Sequence, residues 1–374
     1  MNTFFVSAEV KLRPYLKNKP IVIARSDKFA MAISMSSNLK KKGFNITDKI
    51  FQIKQVVPDL IVIRPNLSYY QFLSNQFFNF LAKKVSSELE IYSIDECFID
   101  ISTFATKFST VEFALFYIKK IVKENLELPI SIGVSHNKLL AKMATNIAKH
   151  NKNNIFWLKP NMLNEFIFNK PIGNLIGIGK ARMLKLKKIN IQTINDFIAL
   201  GDTNPELIQI FGVTTKYFFE NLLGVGDNSI VDRKSNFKII SRFNTFLSSE
   251  DVDNKKATLL IQEFLKDLVE KLVSNNKQAG KVEIFLKTKT NETIHFYNKL
   301  EFPTANFEII YSKALELLNQ IDDFSEILGL GVNLTNIFEN STINKKTNKK
   351  VAEIIENLNK KFDKKLIIAK ALKK

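Results

Sequence analysis

Residues 91–101 read I-Y-S-I-D-E-C-F-I-D-I, an apolar, β-prone run broken in its middle by two adjacent carboxylates, Asp95 and Glu96, with Asp100 near its far end. A buried strand tolerates a charge only when something offsets the cost of desolvating it. The pair therefore points to a metal ion or a cation cluster, or else to a hairpin whose polar tip faces water. Adjacent residues of a flat strand point to opposite faces, so both carboxylates reach one cluster only if the backbone turns or bulges there. Asp100 lies an odd number of positions from Asp95 and reads as structural.

Length and charge bound what surrounds this run. A chain of 374 residues carries about two to four domains. The 55 Lys and Arg outnumber 37 Asp and Glu for a formal charge of +18, which suits a polyanionic partner, nucleic acid or an anionic membrane surface. The basic residues are scattered through folded-looking segments, which favours a basic groove over a tail. The single cysteine, Cys97, forms no internal disulfide, fits a reducing cytoplasm and reads as a small buried filler. No stretch of about 18 apolar residues and no signal-peptide pattern occurs, so neither membrane insertion nor export is expected.

Residues 1–9 read as a strand with Phe4 and Phe5 facing opposite ways, one ring toward a core and the other toward a cleft. Lys17–Ala24 is a turn and a buried strand, Ala32–Ser37 is weakly strand-like, and Ser37–Gly43 is a short basic helix stopped by glycine. Residues 68–89 form a helix that delivers the chain into the carboxylate run, with Tyr70, Leu73, Phe77, Phe80 and Leu81 near one face. A second helix over Val111–Asn125 precedes a strand over Pro129–Ser135. In the helix that follows, Leu140, Met143, Ala144 and Ile147 make an apolar stripe, and Lys138, Lys142 and Lys149 fall near the opposite side. Three ammonium groups so placed suit a triphosphate or a duplex backbone, or simply solvent. The order of elements implies helices on one side of a mostly antiparallel sheet.

From Pro171 the style changes. Gly177 and Gly179 mark a tight turn before a helix bearing Lys180, Arg182, Lys185 and Lys187, and a second turn precedes Thr193–Leu200. Glycines there let a phosphate approach free amides at a helix N-terminus. This is the pattern of a helix-hairpin-helix, with a weaker copy at Gln209–Leu223 around Gly212. Gly226–Phe237 is polar, aperiodic and reads as a tether. A second α+β module follows, with a helix over Asp253–Asn275, strands over Lys281–Lys289 and from Thr293, a helix over Thr304–Ile321 and a closing strand G-L-G-V-N-L. The lysine-rich 345–374 keeps helical spacing in part.

Tyr92 to Asp100 match the pattern Y-S-I-D-E-x-F-x-D, and Ser131 to Lys138 match S-x-G-[IV]-S-x-N-K. With Ala141 to Ala144, Gly177-Ile178-Gly179 and the opening Phe4 to Glu9, the chain resembles a Y-family translesion DNA polymerase of the bacterial polymerase IV or UmuC kind, over essentially residues 1–340. The resemblance implies a multidomain α+β right hand. Its parts would be a ferredoxin-like palm (1–11 and 68–161), small fingers (12–67), a helix-hairpin-helix thumb (162–228), a linker (229–237), an α+β little finger (238–337) and a basic C-terminal tail (338–374).

It further implies low-fidelity, template-directed synthesis by two Mg²⁺ ions, on primer-template DNA with deoxynucleoside triphosphates, in the cytoplasm. Asp95 and Glu96 would be the catalytic metal ligands, with Met1 counted in the metal set. Phe4 and Phe5 would meet the nucleotide, Phe5 as the ring that excludes a 2′-hydroxyl. Lys149 would bind the triphosphate, although His150 replaces the usual following proline. Lys40 stands for an arginine and Ser37 for a tyrosine of the family, and lysine lacks the bidentate fork. Gly177, Gly179 and Lys180 would bind the DNA backbone. A sliding clamp is a partner of the family, although no Q-x-x-L-F-like stretch stands near the C-terminus. The family's bridging aspartate would lie one residue before Met1. The expectation is that a start upstream restores it, the alternative being a catalytically inactive DNA-binding relative.

Overall fold

The computed structural model describes residues 1–25, 30–226, 229–230, 237–246, 252–290, 292–321 and 323–339. The chain forms two compact units, residues 1–232 and 233 onward.

The first unit opens not on a strand but on helix α1, Phe4–Leu12. Phe4 and Ala8 pack into one core with Tyr70 and Leu73, while Val6 and Val10 pack with Leu16, Ile21 and Ile23 in another. Burial on two sides, each at i,i+4 spacing, makes this helix look alternating when read as text. Strand β1, Ile21–Ile23, is buried throughout. It pairs antiparallel with β2, Ser34–Met35, and parallel with β3, Ile61–Ile63. Between them run α2, Ser37–Lys41, followed by Gly43 at φ +92°, and α3, Ile50–Val56. The strand-like character of 32–37 is confined to the two residues of β2.

Helix α4, Leu67–Lys84, starts where the Asn66 side chain accepts the Tyr69 amide at 3.1 Å, and ends five residues earlier than its apolar pattern suggests. Strands β4, Leu89–Ser93, and β5, Glu96–Ile99, form an antiparallel hairpin. The short α5, Ser102–Ala105, leads to α6, Val111–Leu126, capped by Thr110. Strand β6, Ile132–Val134, then runs into α7, Lys138–Ala148, and α7 into β7, Ile155–Trp157.

Strands β6 and β7 pair parallel. Among the described residues strands β4 to β7 thus lie as two separate two-stranded ladders, not as the one mostly antiparallel sheet expected. With residues 4–12 helical, no first strand is present among these residues to join them.

Four short helices follow: α8 Lys180–Lys188, α9 Ile194–Ala199, α10 Pro205–Phe211 and α11 Thr214–Leu222. They share one core with the apolar face of α7, through Leu139, Leu140, Met143 and Ala144. Thr193 and Asp196 form a reciprocal capping box on α9, which stops the preceding turn from fraying.

The second unit is a four-stranded antiparallel sheet, order β10-β9-β11-β8, backed by two helices. Its elements are β8 Ile239–Thr245, α12 Asn254–Ser274, β9 Lys277–Thr288, β10 Thr293–Thr304, α13 Phe307–Leu318 and β11 Ile327–Glu339. Ala257, Ile261, Leu265, Leu268 and Leu272 of α12 pack on Val282, Ile284, Leu286, Val332 and Leu334 of the sheet. β11 takes in the first two residues of the expected tail, and the rest of that tail and most of the tether lie outside the described residues.

Candidate nucleotidyl-transfer site

The carboxylate run is a hairpin, and its tip does not face open water. Ser93 pairs with Glu96 across a two-residue turn, Ile94-Asp95, with a register shift between Ile91 and Ser93. Turn and irregularity together let neighbouring residues project the same way. Asp95 and Glu96 are both half-buried and line a cleft of about 680 Å³ together with Met1, Asn2, Lys138, Lys142 and Lys149. The Ser93 hydroxyl donates to Asp95 Oδ1 at 2.8 Å.

Cationic groups converge on this tip. The Met1 ammonium donates to the Asp95 carbonyl at 2.6 Å. Burial pushes its pKa down, against the pull of Asp95 and Glu96. Lys142 is hydrogen-bonded to Glu96 and lies 5.1 Å from the Tyr92 ring centroid. One turn earlier, Lys138 meets the fully buried Glu90 at 2.9 Å and donates to the Ser229 carbonyl at 2.8 Å. Lys138 and Lys142 are therefore not a solvated face: they pair with carboxylates of the hairpin. The burial of Glu90 had no signal in the sequence, because its apolar neighbours are those of any strand.

The acidic residues offer oxygen only, the donor chemistry of a hard cation. Among the described residues no group of three or more His, Cys, Asp and Glu gathers. Two carboxylates are enough for Mg²⁺, which is commonly held by one or two of them together with substrate phosphates and water. The donor set fits that ion.

Lys149 stands at the C-cap of α7. Lys40, on α2, is pushed below the usual lysine pKa first by partial burial and then by the Lys149 ammonium. The C-terminal end of α7 and helix α2 thus bring near each other the two lysines expected at the phosphates. Phe5 is half-buried, its ring stacked on Tyr70 at a centroid distance of 4.5 Å and an interplanar angle of 16°. Of the two rings Phe4 is the one turned into a core, only 3% exposed and packed with Ala8, Tyr70 and Leu73. Asp100 is exposed and accepts the Ser102 amide at 2.8 Å. Burial pushes the Cys97 thiol up to about 12, leaving it protonated and inert near neutral pH.

In the hairpin of short helices, Gly177 has φ +95°, and a Cβ there would meet the Phe218 ring at 2.9 Å. Its carbonyl accepts from Arg182 Nη1 at 2.9 Å, and the guanidinium stands 5.0 Å from the Phe211 centroid. Arg182 thus braces the turn, whereas Lys180 is exposed. Gly179, the N-cap of α8, has an ordinary φ of −86°, and a Cβ there would meet no atom within 4 Å. Nothing inside the protein requires glycine at 179. If a phosphate backbone reaches this turn, Lys180→Ala reduces the slope of log K against log salt for duplex binding by about 0.9. A salt titration of binding measures it, and an unchanged slope excludes a phosphate contact by Lys180.

A family model described as "impB/mucB/samB family" matches residues 1–146, and one for the C-terminal domain of that family matches residues 237–348. The chain is similar to DNA polymerase IV of Oceanobacillus iheyensis, 31% identical over 98% of this chain and 89% of the relative. It is also similar to DNA polymerase IV of Ureaplasma parvum serovar 3, 26% identical over 92% and 95% of the two chains. Among solved structures, a Y-family DNA polymerase chimera of Dbh and Dpo4 superposes with a TM-score of 0.77 at 22% identity, over 90% of this chain and 97% of the other. An insertion ternary complex of Dbh DNA polymerase gives 0.61 over the same shares. At that identity the likeness is one of fold.

Proposed function

This chain belongs to the impB/mucB/samB family of Y-family DNA polymerases, of the polymerase IV and UmuC kind, and from that premise we propose that it extends a primer on a DNA template, with low fidelity, in translesion synthesis. The observation that carries the reading is the pair of half-buried carboxylates, Asp95 and Glu96, at a hairpin tip inside a cleft lined by Lys142 and Lys149.

Asp95 and Glu96 are the groups that would hold two Mg²⁺ ions; the Met1 ammonium, which donates to the Asp95 carbonyl, offers no lone pair to a metal. Bound there, the ions would lower the pKa of a primer 3′-hydroxyl and neutralise charge on the triphosphate. The rest falls to the chain's own side chains. Lys142 leaves Glu96 for a phosphate oxygen when a polyanion enters, an exchange of one charge-assisted hydrogen bond for another. Lys40 and Lys149, whose ammonium groups repel each other, gain from a triphosphate placed between them. Phe5 lies under the sugar, and Gly179 and Lys180 grip the DNA backbone. Relatives named as polymerases match nearly the whole chain, which favours turnover over the inactive alternative.

Primer extension with Mg²⁺ and with chelator, on this chain and on a form lengthened by an aspartate ahead of Met1, tests the reading. Metal-dependent extension by either form supports it, and tight primer-template binding without extension by both overturns it. Phe5→Ala in the active form is expected to admit ribonucleotides at least about tenfold better, since one excluded hydroxyl contact is worth about 1–3 kcal/mol. Competing dNTP and rNTP incorporation measures this.

A further inference from the structure

Glu9 is only 1% exposed, yet it is a carboxylate on a helix that packs against two apolar cores. Its Oε1 accepts the Tyr70 hydroxyl at 2.8 Å, and its Oε2 lies 3.6 Å from Arg13 Nη1. Tyr70 is wholly buried. Burial and then the bond to Glu9 hold its hydroxyl above the usual tyrosine pKa, so it stays a donor. The other face of the arrangement is aromatic. Phe5 stacks on the Tyr70 ring at 4.5 Å, and Phe4 meets that ring edge-on at 6.3 Å and 63°. Phe5 can change its tilt only if Tyr70 does, and Tyr70 is held by a packed edge on one side and a short hydrogen bond on the other. Apolar residues of the same shape at positions 9 and 70 would fill the space without the desolvation cost of a buried carboxylate. What they would lack is direction, since packing restrains a ring's position while a hydrogen bond also fixes its angle.

We propose that Glu9 is a positioning residue for sugar selection: by accepting the Tyr70 hydroxyl it sets the plane of Tyr70, and hence of the Phe5 ring stacked on it, against an incoming nucleotide. This rests on Phe5 being the ring that meets the sugar. Glu9 touches no nucleotide. It acts through two aromatic rings, and its influence falls on the choice between deoxyribose and ribose.

The test compares Phe5→Ala, Tyr70→Phe, Glu9→Leu and Glu9→Gln by KM and kcat for dNTPs and rNTPs. Nucleotide affinity is also measured on a dideoxy-terminated primer, which needs no turnover. Tyr70→Phe removes one oxygen and keeps the ring, so it tests the link even if Glu9→Leu fails to fold. Tyr70→Phe and Glu9→Leu are expected to cut sugar discrimination about tenfold, the worth of one hydrogen bond. The change should appear in the ratio of affinities for the two sugars, with less effect on dNTP kcat. Glu9→Gln, which still offers an acceptor oxygen, should discriminate like the parent. If Phe5→Ala relaxes selection while Tyr70→Phe leaves it intact, the role of Glu9 is refuted and the gate stands. If Phe5→Ala itself changes nothing, the gate assignment falls and takes this inference with it.

Discussion

Replacing Asp95 by alanine is expected to slow primer extension by at least about a thousandfold while leaving the fold intact. A carboxylate that holds a divalent ion against a transferring phosphoryl group supplies several kcal/mol of transition-state stabilisation. At 1.36 kcal/mol per decade, about 4 kcal/mol corresponds to three powers of ten. Asp95 sits in a two-residue turn and, among the described residues, its side chain accepts only the Ser93 hydroxyl, so its removal strands no buried donor among them. Asp100→Ala is the matched control. That residue is exposed and, among the described residues, is bonded to the amide and side chain of Ser102, so its loss should cost no more than about 1 kcal/mol of stability and little activity. Single-turnover extension, with thermal unfolding of each variant, decides it. Equal rates for Asp95→Ala and the parent would remove Asp95 from the chemistry.

The second large effect falls on stability. Alanine at Gly133 would place its Cβ 2.0 Å from the Thr145 amide nitrogen, 2.5 Å from the Ala144 carbonyl carbon and 2.6 Å from the Ala141 carbonyl oxygen. All three are backbone atoms of α7, so no rotamer change relieves the contact, and strand β6 and helix α7 have to move apart. Ordinary overpacking costs about 1–3 kcal/mol, and a backbone clash belongs at or above the top of that range. Denaturant unfolding of Gly133→Ala is expected to show a loss of at least about 3 kcal/mol. Gly179→Ala offers the contrast, since its added methyl meets nothing within 4 Å. Its stability should stay within about 0.5 kcal/mol of the parent while duplex binding weakens.

How much could be read from the text alone follows from the range of the interactions involved. Helices α6 and α7 and the glycine turn at 177–179 are set by local apolar spacing and glycines and are legible in the sequence. The carboxylate run reads as a strand with a hairpin as the alternative, and the fold takes the hairpin. Residues 4–12 are not legible, because burial on two sides of a helix imitates the alternation of a strand. The partition of strands β4 to β7 into two ladders depends on pairing between distant segments, which no single window of sequence reports. At the site, the spacing of Lys138 and Lys142 was visible but their partners Glu90 and Glu96 were not, since each pair spans more than forty positions. Tyr70 reads as one more apolar-face residue of α4. Only the folded chain sets its hydroxyl on Glu9 and its ring on Phe5.

The contact at Gly133 also bears on how fast the cleft can rearrange. With the α7 backbone pressed against β6 and its apolar side buried, the helix cannot swing to carry Lys142 between partners. The ammonium can only travel by rotating about the bonds of its own side chain, not by the microsecond-to-millisecond movement of a whole helix or domain. If Lys142 passes from Glu96 to a phosphate as proposed, the breaking of that ion pair, and not a helix movement, sets how fast it does so.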